Sequence, residues 1–214
     1  MQRSLAEEEV VTFRSGKLRL EGRIAVAEES RFGAVICHPH PQYGGDLENS
    51  VVAASASALR AEGVATLRFN FRGVGASEGS YGGGSAEIED ARAAVSLLRE
   101  RAPRAELSLG GYSFGAMVAL LAGHEHPDVD RLFAIALPAT MFDAEPILAS
   151  GKPKLFLLGD RDSFCPFARL EQLVGRLAGP CSLVRLEDAD HFLFGFEERV
   201  GAEVARFVKQ AASA

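Results

Sequence analysis

The sequence predicts an α/β fold, in which helices cover both faces of an eight-stranded, mostly parallel sheet built as a single domain over residues 1–214. A chain of 214 residues is long enough for one large core and short for two. Near its start, apolar and polar residues alternate as they do in half-buried antiparallel strands. Further along, short apolar runs are each followed by a segment with helical spacing, which is typical of parallel strands joined by helices.

These patterns assign the elements in chain order. The first 26 residues predict a hairpin, because residues 10–13 and 18–24 alternate on either side of a Ser15-Gly16 turn. Six later apolar runs are predicted strands, at residues 34–37, 64–69, 106–109, 132–137, 154–158 and 182–186. Five segments are predicted helices, at residues 50–62, 85–101, 114–123, 167–177 and 196–208. The glycine-rich segment 79–85 is predicted to be a flexible loop.

Charge and hydropathy exclude two classes of partner. The net charge is −6 and the Lys and Arg residues are scattered, so the chain has no basic stripe for a nucleic acid. No apolar run approaches the roughly 18–20 residues that cross a bilayer, and the start lacks an apolar signal core. We therefore expect a cytoplasmic protein that binds neither nucleic acid nor membrane, as a monomer or a homodimer.

The cysteines indicate a reducing compartment. Cys37, Cys165 and Cys181 are an odd number without metal-ligand spacing, so we interpret them as packing residues. Cys165 lies close to a segment with candidate catalytic residues, which makes a reactive thiol there an alternative.

The strongest functional signal is a serine between two glycines. The pattern Gly-x-Ser-x-Gly occurs at residues 111–115 and again at 75–79. A nucleophile at such a turn needs a strand before it and a helix after it, whose N-terminus faces the developing oxyanion. Ser113 has both, whereas Ser77 runs into the glycine-rich loop. We predict that Ser113 is the nucleophile and that Ser77 is a loop residue.

A serine nucleophile needs a base, and the base needs a carboxylate that orients it. In sheets with a serine at such a turn, the acid and then the base follow in the chain. His191 is downstream of the last predicted strand, which makes it the predicted base. Asp162 is the predicted acid because it lies further into its loop than Asp160, which remains the alternative.

An oxyanion also needs two N–H donors. The first predicted donor is the amide of Phe114, directly after the nucleophile. The second should come from the loop after the strand at 34–37, where proline residues have no N–H. His40 is the leading candidate, with Tyr43 or Gly44 as alternatives, and the His38 ring is expected to brace the loop.

Three motifs together resemble those of the α/β-hydrolase superfamily, and within it a group of small serine hydrolases without a lid. They are His-Pro-His-Pro-x-x-Gly-Gly at residues 38–45, Leu-Arg-Phe-Asn-Phe-Arg-Gly-Val-Gly-x-Ser-x-Gly at 67–79 and Gly-Tyr-Ser-Phe-Gly at 111–115. The resemblance covers nearly the whole chain. It implies the α/β-hydrolase fold, a triad of Ser113, Asp162 and His191, and esterase-like chemistry. No cofactor is expected.

The predicted site is open. Large caps in such hydrolases are inserted between the strands that here end near residue 137 and begin near 154, and only residues 138–153 intervene. So short a segment can line a cleft but cannot enclose it, which suits short acyl chains. The aromatic and apolar residues expected to line the cleft are Tyr43, Tyr112, Phe114, Met141, Phe142, Phe164 and Phe192.

The predicted function is therefore a carboxylesterase that acts on small-molecule esters through an acyl-enzyme. Thioester, lactone or amide hydrolysis and acyl transfer use the same triad and remain alternatives, as does a non-catalytic binding protein of this fold.

Two other classes of protein are weaker alternatives. His38, His40 and Asp46 suggest a metal-dependent hydrolase, but no further His-rich segment completes a ligand set, so no metal is expected. A dinucleotide fingerprint that begins at Gly73 fails at Glu78, where it needs a glycine.

Overall fold

The computed structural model describes residues 6–27 and 29–210 and contains an eight-stranded sheet in the order β1-β2-β4-β3-β5-β6-β7-β8. β1 is antiparallel to β2 and β2 to β4, whereas all other neighbours are parallel. The strand bounds are Glu9–Ser15, Leu18–Ala25, Phe32–Cys37, Ala65–Phe69, Glu106–Tyr112, Arg131–Ile135, Lys154–Gly159 and Cys181–Leu186. The predicted fold class is confirmed.

Five α-helices flank this sheet, and their bounds, α1 to α5, are Ser50–Ala61, Ser85–Arg101, Phe114–Gly123, Phe167–Val174 and Glu197–Val208. α1 leads from β3 to β4, and α2 leads back across β3 to β5. Because such crossovers are right-handed, the two helices lie on opposite faces of the sheet. α5 packs on α1, and α3 packs on α2. None of the helices described is long and apolar enough to span a membrane.

Most boundaries agree with the predicted ones to within a residue. β1 ends at Ser15 and β3 begins at Phe32, each two residues beyond its predicted run, and the ends of three further elements differ by two residues or more. β6 ends at Ile135 because Ala136 adopts a φ of 47°, which interrupts the extended backbone. α4 ends at Val174, and the chain continues from its C-cap Gly175 as turns, in which the N–H of Arg176 donates to Leu173 and that of Leu177 to Val174. β5 continues to Tyr112 and includes Gly110 and Gly111. Residue 110 is a glycine because a Cβ there would lie 2.2 Å from the Phe133 ring.

The reversal of winding direction between β3 and β5 determines where a site can form. The chain leaves β3 toward one edge of the sheet and leaves β5 toward the other, so the loops after these two strands separate above the sheet. Open α/β sheets bind their ligands at the carboxyl ends of the strands at such a point. The loop at residues 38–45 and Ser113 both lie at this point.

Candidate active site

Ser113 lies on a tight turn between β5 and α3. Its backbone has φ 54° and ψ −116°, a conformation that is rare for a residue with a side chain and that points to stored strain. The turn is tight because α3 approaches the end of β3. A Cβ on Gly115 would lie 2.3 Å from the carbonyl oxygen of Cys37, and one on Gly111 would lie 2.5 Å from the Gly115 backbone. Glycine at both positions is what lets the helix begin directly behind the serine.

Three side chains from three loops form a hydrogen-bonded row at this turn. Ser113 Oγ is 2.9 Å from His191 Nε2, and His191 Nδ1 is 2.7 Å from Asp162 Oδ2. A carboxylate accepts but does not donate, so the ring proton of neutral His191 lies on Nδ1. Nε2 is then free to accept the hydroxyl proton of Ser113. The arrangement is the one required of a nucleophile, a base and an orienting acid.

Asp162 is itself fixed in the loop that follows β7. Its side chain is fully buried, and its second oxygen accepts the N–H groups of Phe164 and Cys165 at 2.8 and 3.0 Å. Asp160 instead accepts the N–H of Asp188, and Arg161 pairs with the Asp188 carboxylate. Asp160 is therefore engaged elsewhere, and of the two aspartates in this loop Asp162 is the one that contacts the His191 ring.

The thiol of Cys165 lies inside the core below the site. Cys165 is fully buried, and burial raises the pKa of its thiol, which keeps it protonated. The alternative of a reactive thiol is therefore not supported by its position.

The Phe114 ring, which was expected to line the cleft, is buried. Tyr112 and Phe142 do not line an open cleft either, and this corrects the expectation from the sequence. Both are buried, because Tyr112 ends a strand covered on both faces and Phe142 turns inward behind exposed Met141. The Tyr112 hydroxyl donates to the carbonyl oxygen of His191 at 2.8 Å. Burial and the Asp162 charge raise the pKa of Tyr112, so it stays protonated and holds His191 in place.

His38 braces the loop at residues 38–45, as predicted. Its ring is buried, with Nδ1 donating to the Pro39 carbonyl at 2.6 Å and Nε2 accepting the N–H of Phe71 at 3.1 Å. Burial lowers the pKa of His38 to about 4, so the ring is neutral at pH 7. Both ring nitrogens are used within the protein, which leaves neither for a metal. Within the part of the chain that the structure describes, no three His, Cys, Asp or Glu residues form a metal-binding group.

The hydrogen bonds of this loop show which candidate oxyanion donors have a free N–H group. The N–H of Tyr43 donates to the His40 carbonyl at 3.1 Å, and that of Gly44 donates to the Pro41 carbonyl at 3.3 Å. By contrast, the amides of His40 and Phe114 donate to no acceptor in residues 6–27 and 29–210. The His40 and Phe114 rings lie 4.9 Å apart, so these two free amides come from adjoining residues.

A family model described as serine aminopeptidase, S33, matches residues 44–152, about half of the chain, and the match contains Ser113. The chain belongs to this family of α/β-hydrolases. It is a hydrolase by family as well as by the form of its site.

Relatives of this hydrolase extend the likeness over nearly its full length. An uncharacterised protein of Rickettsia prowazekii is 34% identical over 192 residues, which are 85% of this chain and 81% of the relative. An α/β serine hydrolase homologue from Coxiella burnetii is 30% identical, with a TM-score of 0.86 over 95% of this chain and 98% of that one. A serine hydrolase without a lid from Xanthomonas campestris is 31% identical, with a TM-score of 0.83 over 96% and 97% of the two chains.

The serine of the second Gly-x-Ser-x-Gly segment, at residues 75–79, stabilises a loop. Ser77 is buried, and its hydroxyl donates to the Asn70 carbonyl and accepts the N–H of Glu21. It lies in the loop after β4, and the next helix, α2, begins only at Ser85. The hydroxyl therefore ties this loop to the sheet.

The glycine-rich loop is more ordered than its composition predicts. The buried carboxylate of Glu87 accepts the N–H groups of Gly82 and Gly84, one on each oxygen. Tyr81 is thereby held with its ring 5.0 Å from that of His40. Sequence reasoning missed both residues, although a glutamate three residues after the helix N-cap is a known signal of capping.

Exposed apolar side chains surround the mouth of the site. Tyr43, Met141, Phe164 and Phe192 were expected there, and all four are exposed. Phe194 joins them, since its ring stacks on that of Phe192. Four of the seven expected lining residues are therefore at the surface, and the rings of Phe164 and Phe192 lie beside that of His191.

Proposed function

We propose that this hydrolase cleaves carboxylic esters by way of a covalent acyl-enzyme on Ser113. The observation that carries the proposal is the row of hydrogen bonds from Ser113 Oγ through the His191 ring to Asp162, set on a strained turn at the N-terminus of a helix. A serine hydroxyl is a weak nucleophile by itself, and it is activated when a base removes its proton. His191 Nε2, at 2.9 Å, is placed to do so.

In the first half of the reaction, Ser113 Oγ attacks the ester carbonyl while His191 Nε2 takes its proton. The imidazolium that forms is stabilised by the Asp162 carboxylate, which does not itself take the proton. His191 then gives this proton to the alkoxide oxygen as the carbon–oxygen bond breaks, and the alcohol leaves. Ser113 is left as an acyl ester.

The negative oxygen of the tetrahedral intermediate is held by the amides of Phe114 and His40. Both N–H groups are free of acceptors among the described residues, and Phe114 adds the positive end of helix α3. Removal of one such donor typically costs about 2.7–4 kcal/mol in the transition state.

In the second half, water takes the place of the alcohol. His191 Nε2 accepts a proton from the water as its oxygen attacks the acyl carbon, and Ser113 recovers its proton when the acid leaves. Short acyl groups suit this step best, because the segment between β6 and β7 is too short to cover a long chain.

The proposal is tested by replacing the nucleophile. Ser113→Ala should reduce hydrolysis of 4-nitrophenyl acetate and butyrate by at least about 10⁴-fold, because removal of the nucleophile leaves only binding and the oxyanion donors. Ser96→Ala, on the exposed side of α2, is the matched control and should retain full turnover. Circular dichroism and the thermal midpoint of both variants show whether they fold.

Retention of more than a few per cent of activity by folded Ser113→Ala would contradict the proposal. A folded wild-type protein that turns over no ester, thioester, lactone or amide supports the non-catalytic alternative instead. A ratio of thioester to ester turnover well above one favours a thioesterase that uses the same three residues.

We also propose a cytoplasmic location. Cys37, Cys165 and Cys181 are all free thiols, and unpaired cysteines are typical of proteins in reducing compartments. Fractionation of cells that express the tagged full chain tests this proposal.

A further inference from the structure

Three phenylalanines form an exposed aromatic surface beside His191, and we call Phe164, Phe192 and Phe194 the aromatic rim. Their exposed fractions are 45%, 52% and 73%. The Phe164 ring lies 4.4 Å from the His191 ring and the Phe192 ring 6.0 Å from it, and Phe194 stacks on Phe192 with an angle of 14° between the rings. The surface is therefore continuous with the triad.

The backbone that carries the rim is held in an unfavourable conformation. Leu193, between the two outward phenylalanines, has a φ of 57° and a fully buried side chain. The left-handed region is rare for a branched aliphatic residue, and such strain persists only where the surroundings enforce it. Asp190 Oδ1 accepts the N–H groups of both Phe192 and Leu193. The loop thus anchors Leu193 inside and turns two rings outward.

Phe164 is fixed from the opposite side of His191. Its N–H donates to Asp162 Oδ1 at 2.8 Å, and its carbonyl accepts the Thr140 hydroxyl at 2.8 Å. The same carboxylate therefore orients the His191 ring and positions the phenylalanine beside it. Exposure of an apolar ring to water costs free energy, and an unconstrained loop would avoid this cost by turning the ring inward. The two backbone hydrogen bonds of Phe164 hold its ring partly exposed instead.

The chemistry of the proposed reaction says which half of a substrate meets the rim. The carbonyl oxygen must point to the amides of His40 and Phe114, whereas the oxygen of the leaving alcohol must reach His191 Nε2 to receive its proton. The alcohol therefore extends over the residues around the His191 ring, which are Phe164 and Phe192.

We propose that the leaving group of the natural substrate is a neutral aromatic alcohol that stacks on the aromatic rim. This inference rests on the proposed ester hydrolysis at Ser113. Offset or edge-on contact with an aromatic ring favours a planar aromatic group over a saturated ring of equal size. Two carboxylates lie at the loop that carries the rim, since Asp190 accepts the N–H of Phe192 and Glu197 accepts that of Gly195, and their charge disfavours a leaving alcohol that is itself negative.

The test compares acetate esters that differ only in the alcohol. The probes are 2-phenylethyl acetate and 2-cyclohexylethyl acetate, whose hydroxyl groups have closely matched acidity, with ethyl acetate as the reference. Every acetate ester forms the same acetyl-enzyme, so differences in kcat/KM report binding and acylation and not the shared deacylation step. We expect kcat/KM for the phenyl ester to exceed that for the cyclohexyl ester by about 3- to 10-fold.

Variants of the rim should abolish this discrimination. In Phe192→Leu and Phe164→Leu we expect the phenyl-to-cyclohexyl ratio to fall below about 2-fold, because leucine contributes apolar area without a ring. Val10→Ala, an exposed apolar position on β1, is the control and should keep the wild-type ratio.

Three results would overturn the inference while leaving ester hydrolysis intact. One is a ratio near one in the wild type. Another is aromatic preference only on the acyl side, measured with methyl 3-phenylpropanoate against methyl 3-cyclohexylpropanoate. A third is a dimer in sedimentation that Phe192→Leu dissociates, with no alcohol preference, which assigns the rim to a second copy of the chain. Failure of the proposed function is distinct, since Ser113→Ala then hydrolyses every probe as the wild type does.

Discussion

In the proposed reaction, the orientation of the His191 ring decides whether Ser113 has a base. Asp162 Oδ2 fixes the proton of His191 on Nδ1, and the Tyr112 hydroxyl holds the His191 backbone from the core. Two independent contacts thus set the position of the ring and its tautomer. Because the carboxylate is buried and accepts two further N–H groups, we expect it to stay in place through the proposed reaction.

Replacement of the Asp162 carboxylate by an amide tests whether activity depends on the orientation of the His191 ring. We expect Asp162→Asn to lower kcat for 4-nitrophenyl acetate by about 10³–10⁴-fold, because an amide NH₂ facing Nδ1 stabilises the wrong tautomer. The matched control is Asp160→Asn in the same loop, which should change kcat by less than about 3-fold, since Asp160 binds only the N–H of Asp188. Equal losses in the two variants would contradict the assignment of the acid.

At the scale of elements, the loops at the carboxyl edge of the sheet carry the candidate site. The sequence predicted which loops meet there but not how all of their side chains are packed. The apolar runs and helical spacing predicted all eight strands, and the order of serine, aspartate and histidine predicted which loops meet. Positions that depend on packing were not predicted. The burial of Tyr112 and the order imposed on Tyr81 by Glu87 follow from how α2, β5 and their loops fit together, which no local pattern encodes.

His38 joins two of these loops, and its titration should make the fold weaker in acid. Burial lowers the pKa of His38 from 6.5 to about 4, so the unfolded chain binds more protons than the folded protein between these values. The stability is therefore full above pH 6.5 and falls as the pH drops through this window, by about 2.5 kcal/mol at pH 4.5.

The matched variant is His38→Gln, which keeps an acceptor for the Phe71 N–H without the titration. Urea unfolding at pH 7.5 and 4.5 measures the loss of stability in both proteins. We expect the loss to be smaller in His38→Gln by about 2.5 kcal/mol. The same loss in both proteins means that His38 is not the group responsible.

For the molecule as a whole, the short segment between β6 and β7 leaves the mouth of the site open. The chain between β6 and β7 holds one short 3₁₀ helix, Glu145–Ile147, and leaves Met141 at the surface. In the proposed reaction, we expect an acyl chain to gain burial only near the serine and to extend into water beyond that point.

The dependence on acyl length should show this directly. A fully buried methylene contributes about 0.8 kcal/mol, or roughly 4-fold in kcat/KM. With 4-nitrophenyl esters of two to twelve carbons, we expect kcat/KM to stop rising at about four carbons. A steady 4-fold gain per methylene up to eight carbons points instead to a deep acyl pocket.

The central claim is that Ser113 becomes acylated, and covalent labelling tests it most directly. The full-length protein is treated with a fluorophosphonate, and peptides are mapped by mass spectrometry after intact-protein mass confirms one adduct per chain. We predict a single adduct on Ser113, abolished in Ser113→Ala and slowed in Asp162→Asn. An adduct on Ser77 or Cys165, or none on a folded and active protein, would contradict the account.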